Sequence, residues 1–399
     1  MLEPSNSKIE SDSSTSAGTE SSRLALACST GPERLYFDPQ DYFNGLLQDI
    51  AAAEREILLE VYSFRYDRIG RQFIEALVAA KQRGVRIRIL IDGIGSYPDA
   101  NLVAGALLSG HCELRIFHPL PWDFSAYRNA LTAGRWYSQI LHLIAAINQR
   151  NHRKLCVIDE SAAWIGSFNV SSAHFNNRLS SDGDSWHDTG LRTTAADLIA
   201  DLLSDFDRVW KRKRAPVRSR TRQFLSNHSI RDRFHRNRRL VGFLLTAKHR
   251  IWITNAYFNP SRNLLNGLKF AAKRGVDVRV LVPSRSDVFL FPAISRTYYL
   301  DLIGAGIRVY EYQNRLLHSK TILFDDQVLI GSTNLNYRSF FHDLELDALL
   351  SSRQSMQCMQ QRFLTDLELS TEITLDHWQR YPWLLKGLAM FSRLFRYWM

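Results

Sequence analysis

Cysteine is scarce in this 399-residue chain: Cys28, Cys112, Cys156 and Cys358 lie far apart, with no CxxC pair and no zinc-ligand spacing. Reduced thiols and a cytosolic setting are therefore the expectation, and Cys156, inside an apolar run, reads as a small core residue. Uninterrupted apolar runs of about 18 residues are also missing, so no membrane-spanning helix is expected. At the N-terminus no basic segment leads into an apolar one, as a secretion signal requires. The stretch MLEPSNSKIESDSSTSAGTESS is instead rich in Ser, Thr and Glu, and a disordered tail is expected over residues 1–34. Acidic residues are outnumbered, 40 against 51 Lys and Arg, giving a net charge of +11. That balance favours polyanions: nucleic acid, an anionic lipid surface or a phosphorylated substrate.

Core material is ample, with 22 Phe, 15 Tyr and 9 Trp. Tyr42 to Ala53 has helical apolar spacing and Ile57 to Tyr62 reads as a buried strand. Ile74 to Gln82 continues as a helix that stops at Gly84, and strand Val85 to Ile91 ends in the turn Asp92-Gly93-Ile94-Gly95-Ser96. This block recurs: LVAAKQRGVRIRILI returns as LKFAAKRGVDVRVLV, with Leu77, Arg83 and Gly84 matching Leu268, Arg274 and Gly275 at a constant offset of 191. Strands alternating with helices on this scale imply crossovers and a mixed, mostly parallel sheet flanked by helices. Two long repeats imply two homologous α/β/α halves, expected at residues 35–211 and 235–366, with a basic linker at 212–234 and an amphipathic segment at 367–399.

Each repeat carries one unusual string. NHRKLCVIDESAAWIGSFN contains His152, Lys154, Asp159, Gly166, Ser167 and Asn169; LHSKTILFDDQVLIGSTNLN contains His318, Lys320, Asp325, Gly331, Ser332 and Asn334. Six residues separate Asp from Gly in the first and five in the second. A lone His near a Lys is ordinarily structural. The whole string should arise by chance in roughly one chain in a hundred thousand on average residue usage, and here it stands twice. In an extended segment His and Lys two apart face the same way. Two halves meeting at a pseudo-twofold axis would then bring both pairs into one pocket. Lys154 and Lys320 supply positive charge, Asn169 and Asn334 amide donors, and Ser167 and Ser332 hydroxyls, a set suited to phosphate oxygens in phosphoryl transfer. One imidazole can attack phosphorus while the other protonates the leaving oxygen. No carboxylate cluster of the magnesium type accompanies them, so the lysines are expected to replace a metal and no cofactor is expected. Each histidine needs an orienting partner. Asp188, after the first motif, and Glu345, after the second, are the residues chosen to hold His152 and His318. Asp159 and Asp325 sit at strand ends beside turns and read as supporting or structural groups.

These residues resemble the HKD motifs of the phospholipase D superfamily, over about residues 35 to 366. The finer resemblance is to bacterial cardiolipin synthases without N-terminal membrane spans. It is carried by Asp92 to Ser96, by Asn151-His152-Arg153-Lys154, by Asn255-Ala256-Tyr257-Phe258-Asn259-Pro260, and by Val309-Tyr310-Glu311-Tyr312 ahead of Leu317-His318. It implies an active site at the interface of the halves and ping-pong transfer through a phosphatidyl-histidine on His152, with His318 as acid and then base. The implied reaction joins two phosphatidylglycerol molecules into cardiolipin and glycerol. Hydrolysis by a phospholipase D, transfer to another alcohol, cleavage of nucleic acid, and a non-catalytic membrane-binding role are the alternatives.

The two motifs differ by 166 positions where the blocks differ by 191, so the first half holds about 25 extra residues within Pro119 to Arg150. Trp136, Ile140, Leu143, Ile144 and Ile147 share one helical face there. Leu384, Leu388, Phe391, Phe395 and Trp398 share another near the C-terminus. Both segments fit either core packing or a lipid interface. The basic run KRKRAPVRSR fits a solvated linker or a contact with anionic head groups; it lacks the aromatic interleaving of single-strand binders, so no nucleic-acid partner is expected. A peripheral enzyme on the cytoplasmic side of an anionic phospholipid membrane is the resulting picture.

Overall fold

The computed structural model describes residues 31–119, 148–175, 186–211 and 223–380. The first half opens with β1 (Glu33–Tyr36) and α1 (Pro39–Ala52). That helix starts where Asp38 accepts the Gln40 N–H at 2.8 Å and Pro39 fills the first position. β2 (Glu56–Val61), α2 (Arg68–Gln82), β3 (Arg86–Asp92), α3 (Ala100–Ser109) and β4 (Glu113–Phe117) then form two crossovers. α2 ends as expected, with Gly84 in the left-handed region at φ +96°. β5 (Leu155–Ile158), β6 (Ala162–Gly166), β7 (Trp186–His187) and β8 (Gly190–Thr193) follow. All of these strands except β7 form one seven-stranded sheet, in the order β1-β8-β6-β5-β2-β3-β4.

α4 (Ala196–Trp210) closes the first half. The second repeats the plan with β9 (Phe224–Ser226), α5 (Ile230–Thr246), β10 (Arg250–Asn255), α6 (Arg262–Lys273) and β11 (Asp277–Pro283). The short helices α7 (Phe291–Arg296) and α8 (Tyr299–Ile303) lead to β12 (Arg308–Tyr312) and β13 (Leu316–Leu317). β14 (Lys320–Phe324), β15 (Gln327–Gly331), α9 (Tyr337–Phe341), β16 (Leu346–Leu350), α10 (Arg353–Glu368), β17 (Ser370–Ile373) and α11 (Leu375–Arg380) complete the described chain. The second sheet has eight strands, in the order β17-β12-β11-β10-β14-β15-β16-β9.

Strand alternation assigns each side chain to one of two cores. In β2, Ile57, Leu59 and Val61 pack with Phe43 of α1 and Phe73 of α2, while Leu58 faces the other way. There it joins a core shared by both halves: Val157 of β5, Leu323 of β14 and Ile330 of β15 meet Phe206 of α4 and Phe363 of α10. This shared core ties the sheets together and fixes their motif strands face to face.

The fold is the expected mixed α/β pair, with three differences of detail. Parallel pairing is confined to the strands joined by crossovers, β2-β3-β4 and β10-β11-β12. The motif strands return as hairpins, so antiparallel pairs outnumber parallel ones and neither sheet is mostly parallel. Within the stretch expected as a linker, β9 pairs with β16 and α5 begins at Ile230. Past residue 366, β17 pairs with β12 before the amphipathic run begins. Cys112 and Cys156 are free and buried. The apolar faces at 136–147 and 384–398 and the run KRKRAPVRSR after Lys211 lie outside the described residues. Among the described residues no helix is long and apolar enough to cross a membrane.

Candidate active site

Each motif is delivered by the strand beside it and clamped by backbone bonds. At the end of β3, Asp92 accepts the N–H groups of Ile94 at 2.9 Å and Gly95 at 3.0 Å, and with its other oxygen the Asn151 N–H at 2.8 Å. The turn at Asp92 to Ser96 is thus a clamp on the start of the first motif. Burial raises this carboxyl to about 6. Between His152 and Lys154, Arg153 points the opposite way, onto Glu60 and the buried Asp205, as alternation requires.

The halves are stitched at the histidines themselves. His152 N–H donates to Leu344 O at 2.9 Å, and His318 N–H donates to His187 O at 2.8 Å. β7 and β13 pair in parallel across the junction. The residues after those two carbonyls are Glu345 and Asp188, and here sequence order misleads. Each acid holds the other half's histidine: His152 Nδ1 lies 3.1 Å from Glu345 Oε2, and His318 Nδ1 lies 2.7 Å from Asp188 Oδ1. With Nδ1–H given to a carboxylate, each Nε2 presents its lone pair to the cavity.

The motif glycines explain how the acids come so close. A Cβ on Gly166 would meet Thr189 O at 2.4 Å, and one on Gly331 would meet Leu346 O at 2.3 Å. Only glycine lets the acid-bearing strand press against its own motif strand. Ser167 Oγ then donates to Asp188 Oδ1 at 2.6 Å, and Ser332 Oγ donates to Glu345. The two serines, expected to face phosphate, instead hold the carboxylates. Asp188 receives a further donor that the sequence reading missed. His174 Nδ1–H donates to Asp188 Oδ2 at 2.7 Å, its tautomer set because Nε2 accepts the Asn169 N–H at 3.0 Å. In the second half Ser339 donates to Glu345 instead. Both His174 and Ser339 stand five residues past their motif asparagine, and that equal spacing was the available signal.

His152, His318, Asn169 and Asn334 line one cavity of about 890 Å³, walled by Tyr62, Trp186, Tyr257, Phe291, Arg150 and Arg338. Lys154 and Lys320 are buried just behind, and each donates to the carbonyl of its own histidine. Burial, then the mutual repulsion of the lysines, pushes Lys154 down to about 7; burial takes Lys320 to about 8. Burial and both lysines hold His152 well below the usual imidazole range. Burial and Lys320 bring His318 to about 4, against the opposing pull of Asp188. The two acids differ. Although burial opposes it, His318 and His174 keep Asp188 well below the usual carboxylate range, whereas burial raises Glu345. The pocket therefore combines two neutral imidazole nitrogens, poised cations and two buried amides, of which Asn334 has an Oδ1 with no hydrogen-bond partner among the described residues.

Asp159 and Asp325 are not brought into this pocket. Asp159 accepts the N–H groups of Glu54, Arg55 and Glu56, each at 2.8 Å, and Asp325 accepts those of Lys248, His249 and Arg250 at 2.7 to 3.0 Å. Both occupy left-handed turn positions, at φ 51° and 42°. Those three donors hold each carboxyl low despite some burial. They are staples that pin the motif hairpin to the start of β2 or β10. Asp159→Ala should lower stability by about 1–2 kcal/mol through loss of these bonds. Urea unfolding measures it, and an unchanged midpoint would contradict the staple role.

The same architecture occurs in solved structures. The phosphatidylserine synthase of Haemophilus influenzae Rd KW20 superposes with a TM-score of 0.67, covering 92% of this chain and 95% of that one at 13% identity. A polyphosphate kinase from Porphyromonas gingivalis gives 0.55, covering 84% and 50% at 14% identity. At such identities the likeness concerns fold alone. Sequence comparison goes further. The family described as cardiolipin synthase, PLD-like domain, matches residues 46–210 and 240–367. A cardiolipin synthase of Halalkalibacterium halodurans is 30% identical over 375 residues, spanning 90% of this chain and 70% of that protein. One of Geobacillus kaustophilus is 29% identical over 372 residues, spanning 89% and 70%. Fold and relatives together define a phospholipase D-type phosphatidyltransferase. Within that class, the chain belongs to the PLD-like domain family of cardiolipin synthases.

Proposed function

We propose that this chain is a cardiolipin synthase working at an anionic membrane surface, on the cytoplasmic side, through a phosphatidyl-histidine. The observation that carries the reading is the crossed pairing of His152 with Glu345 and His318 with Asp188 at one cavity. In the first step His152 Nε2 attacks the phosphorus of phosphatidylglycerol. The phosphorus–oxygen bond to the head-group glycerol breaks, and His318, which takes up a proton from solvent when the phosphodiester anion enters the cavity and offsets the lysine charge, protonates the departing oxygen. In the second step His318 takes the proton from a glycerol hydroxyl of another phosphatidylglycerol. That oxygen displaces His152, giving cardiolipin. Lys154, Lys320, Asn169 and Asn334 face the non-bridging oxygens, whose charge shifts as phosphorus becomes five-coordinate. The ionised Asp188 suits its partner to carry the imidazolium, and the weaker acid Glu345 suits a neutral nucleophile.

Purified protein given labelled phosphatidylglycerol vesicles should release glycerol and form cardiolipin, equally with and without EDTA. Phosphatidic acid as the sole product would assign hydrolysis instead, and cleavage of single-stranded DNA without lipid turnover would overturn the lipid reading.

The lysine values predict a pH profile. An ammonium, not an amine, must meet the phosphodiester, so kcat/KM should fall as pH rises through about 7 to 8, where the free enzyme loses those protons. A kcat/KM that stays flat from pH 6.5 to 9 would be incompatible with lysines poised in this way.

A further inference from the structure

The cavity is built for an anion, yet two carboxylates, Asp343 and Asp287, line it and are held differently. Asp343, at the His152 end, is clasped by Arg338 at 3.0 and 3.3 Å. Asp287 lines the same cavity, is solvent-accessible, and has no Lys or Arg ion pair among the described residues. It is nonetheless held in place. The Tyr257 hydroxyl lies 2.6 and 2.7 Å from its two oxygens, and Ser286 Oγ donates to it at 3.1 Å. Tyr257 is fixed in turn: its ring packs on Phe291 at 4.5 Å and lies 6.2 Å from the His318 ring. At the offset of 191 that relates β3 to β11, the counterpart of Asp287 is Ser96, a buried residue bonded to Tyr62 O and Phe64 N–H. The second half thus has an open carboxylate beside His318 where the first has a structural serine. Such a group disfavours phosphate and calls for a hydrogen-bond donor, and the two side chains already bonded to it, Tyr257 and Ser286, are both hydroxyls.

We propose that Asp287, positioned by Tyr257, binds hydroxyl groups of the polyol that leaves and enters on the His318 side of the cavity. This rests on the phosphatidyl-transfer reading with His152 attacking. In a double displacement both alcohols then occupy the face opposite His152, next to His318. A carboxylate has only acceptors, which matches the vicinal hydroxyls of a glycerol head group. Water cannot span from Asp287 to the reacting phosphorus, and a monohydric alcohol has no second hydroxyl to offer. The pair therefore selects polyol transfer over hydrolysis and over simple alcohols. Asp287 also faces His318 together with Lys320, Asp188 and His174, so an electrostatic effect on His318 must be told apart from binding.

A competition separates them. The full chain is given phosphatidylglycerol vesicles with equal concentrations of deuterated glycerol and propan-1-ol, and labelled phosphatidylglycerol and phosphatidylpropanol are resolved by mass spectrometry. The product ratio reads acceptor choice alone, whatever the overall rate. Asp287→Asn should lower the glycerol-to-propanol ratio about tenfold, as expected for loss of a hydrogen bond to a charged group. Tyr257→Phe, which frees the carboxylate to move, should shift the ratio the same way by less. Both transfers slowed equally in Asp287→Asn, with the ratio unchanged, would overturn the proposal and leave Asp287 acting through His318. A wild-type chain that transfers phosphatidyl to no alcohol would instead overturn the parent reading, and this one with it.

Discussion

His152→Ala and His318→Ala should each reduce cardiolipin formation by at least about 10⁴-fold, and the double variant should be no worse than either single one. The non-additivity follows because the histidines serve one reaction in sequence, so removing either already stops turnover. The variants should nevertheless fail at different steps. A donor such as phosphatidyl-p-nitrophenol loses its alcohol as a stable anion and needs no proton from His318. With that donor His318→Ala should release about one equivalent of p-nitrophenol in a burst and carry covalent phosphatidyl label. His152→Ala should give neither. Label on His152→Ala and none on His318→Ala would exchange the two roles. Both histidines are buried and bonded through their backbones to the opposite half, so each variant's melting curve should be compared with wild type.

Much of this arrangement is legible in the chain because it is repeated. The offset of 191 between blocks and the two HxK strings give two α/β halves and one composite pocket. His152, His318, Asn169 and Asn334 do line a common cavity. What the chain hides is long-range pairing. Asp188 and Glu345 can be chosen from their position after each motif. Their exchange depends on the two-residue strands Trp186–His187 and Leu316–Leu317 for Asp188, and on a single bridge between Asn151 and Leu344 for Glu345, all too short to announce themselves. The hairpin return of the motif strands is hidden likewise, because a buried apolar run looks alike in parallel and antiparallel sheets. β9 escapes for the same reason, three residues beside a run of charge. Ser167 and Ser332 show the opposite error: a hydroxyl near a phosphate site suggests phosphate, but the neighbouring strand brings a carboxylate nearer.

The exchange of acids carries the second large prediction. Asp188→Asn keeps size but offers an amide where His318 Nδ1 and His174 Nδ1 both bring protons. The imidazole must flip its tautomer or lose its partner, and Asn in place of a histidine-orienting Asp costs about 10⁴-fold in comparable triads. Glu345→Gln should cost as much by the same reasoning at His152. Because the acids are crossed, the step affected is not the one sequence order suggests. Asp188→Asn disturbs His318, so it should block proton transfer yet keep the p-nitrophenol burst. Glu345→Gln disturbs His152, so it should weaken or abolish the burst. Were each acid to serve its own motif, the two phenotypes would be interchanged. The geometry leaves little room for that: Asp188 Oδ1 lies 2.7 Å from His318 Nδ1, and Glu345 is bound to His152, Ser332 and Ser339 together. A burst that survives in Glu345→Gln but vanishes in Asp188→Asn would therefore refute either the crossed pairing in solution or the assignment of His152 as nucleophile. The label-trapping result on the histidine variants would say which.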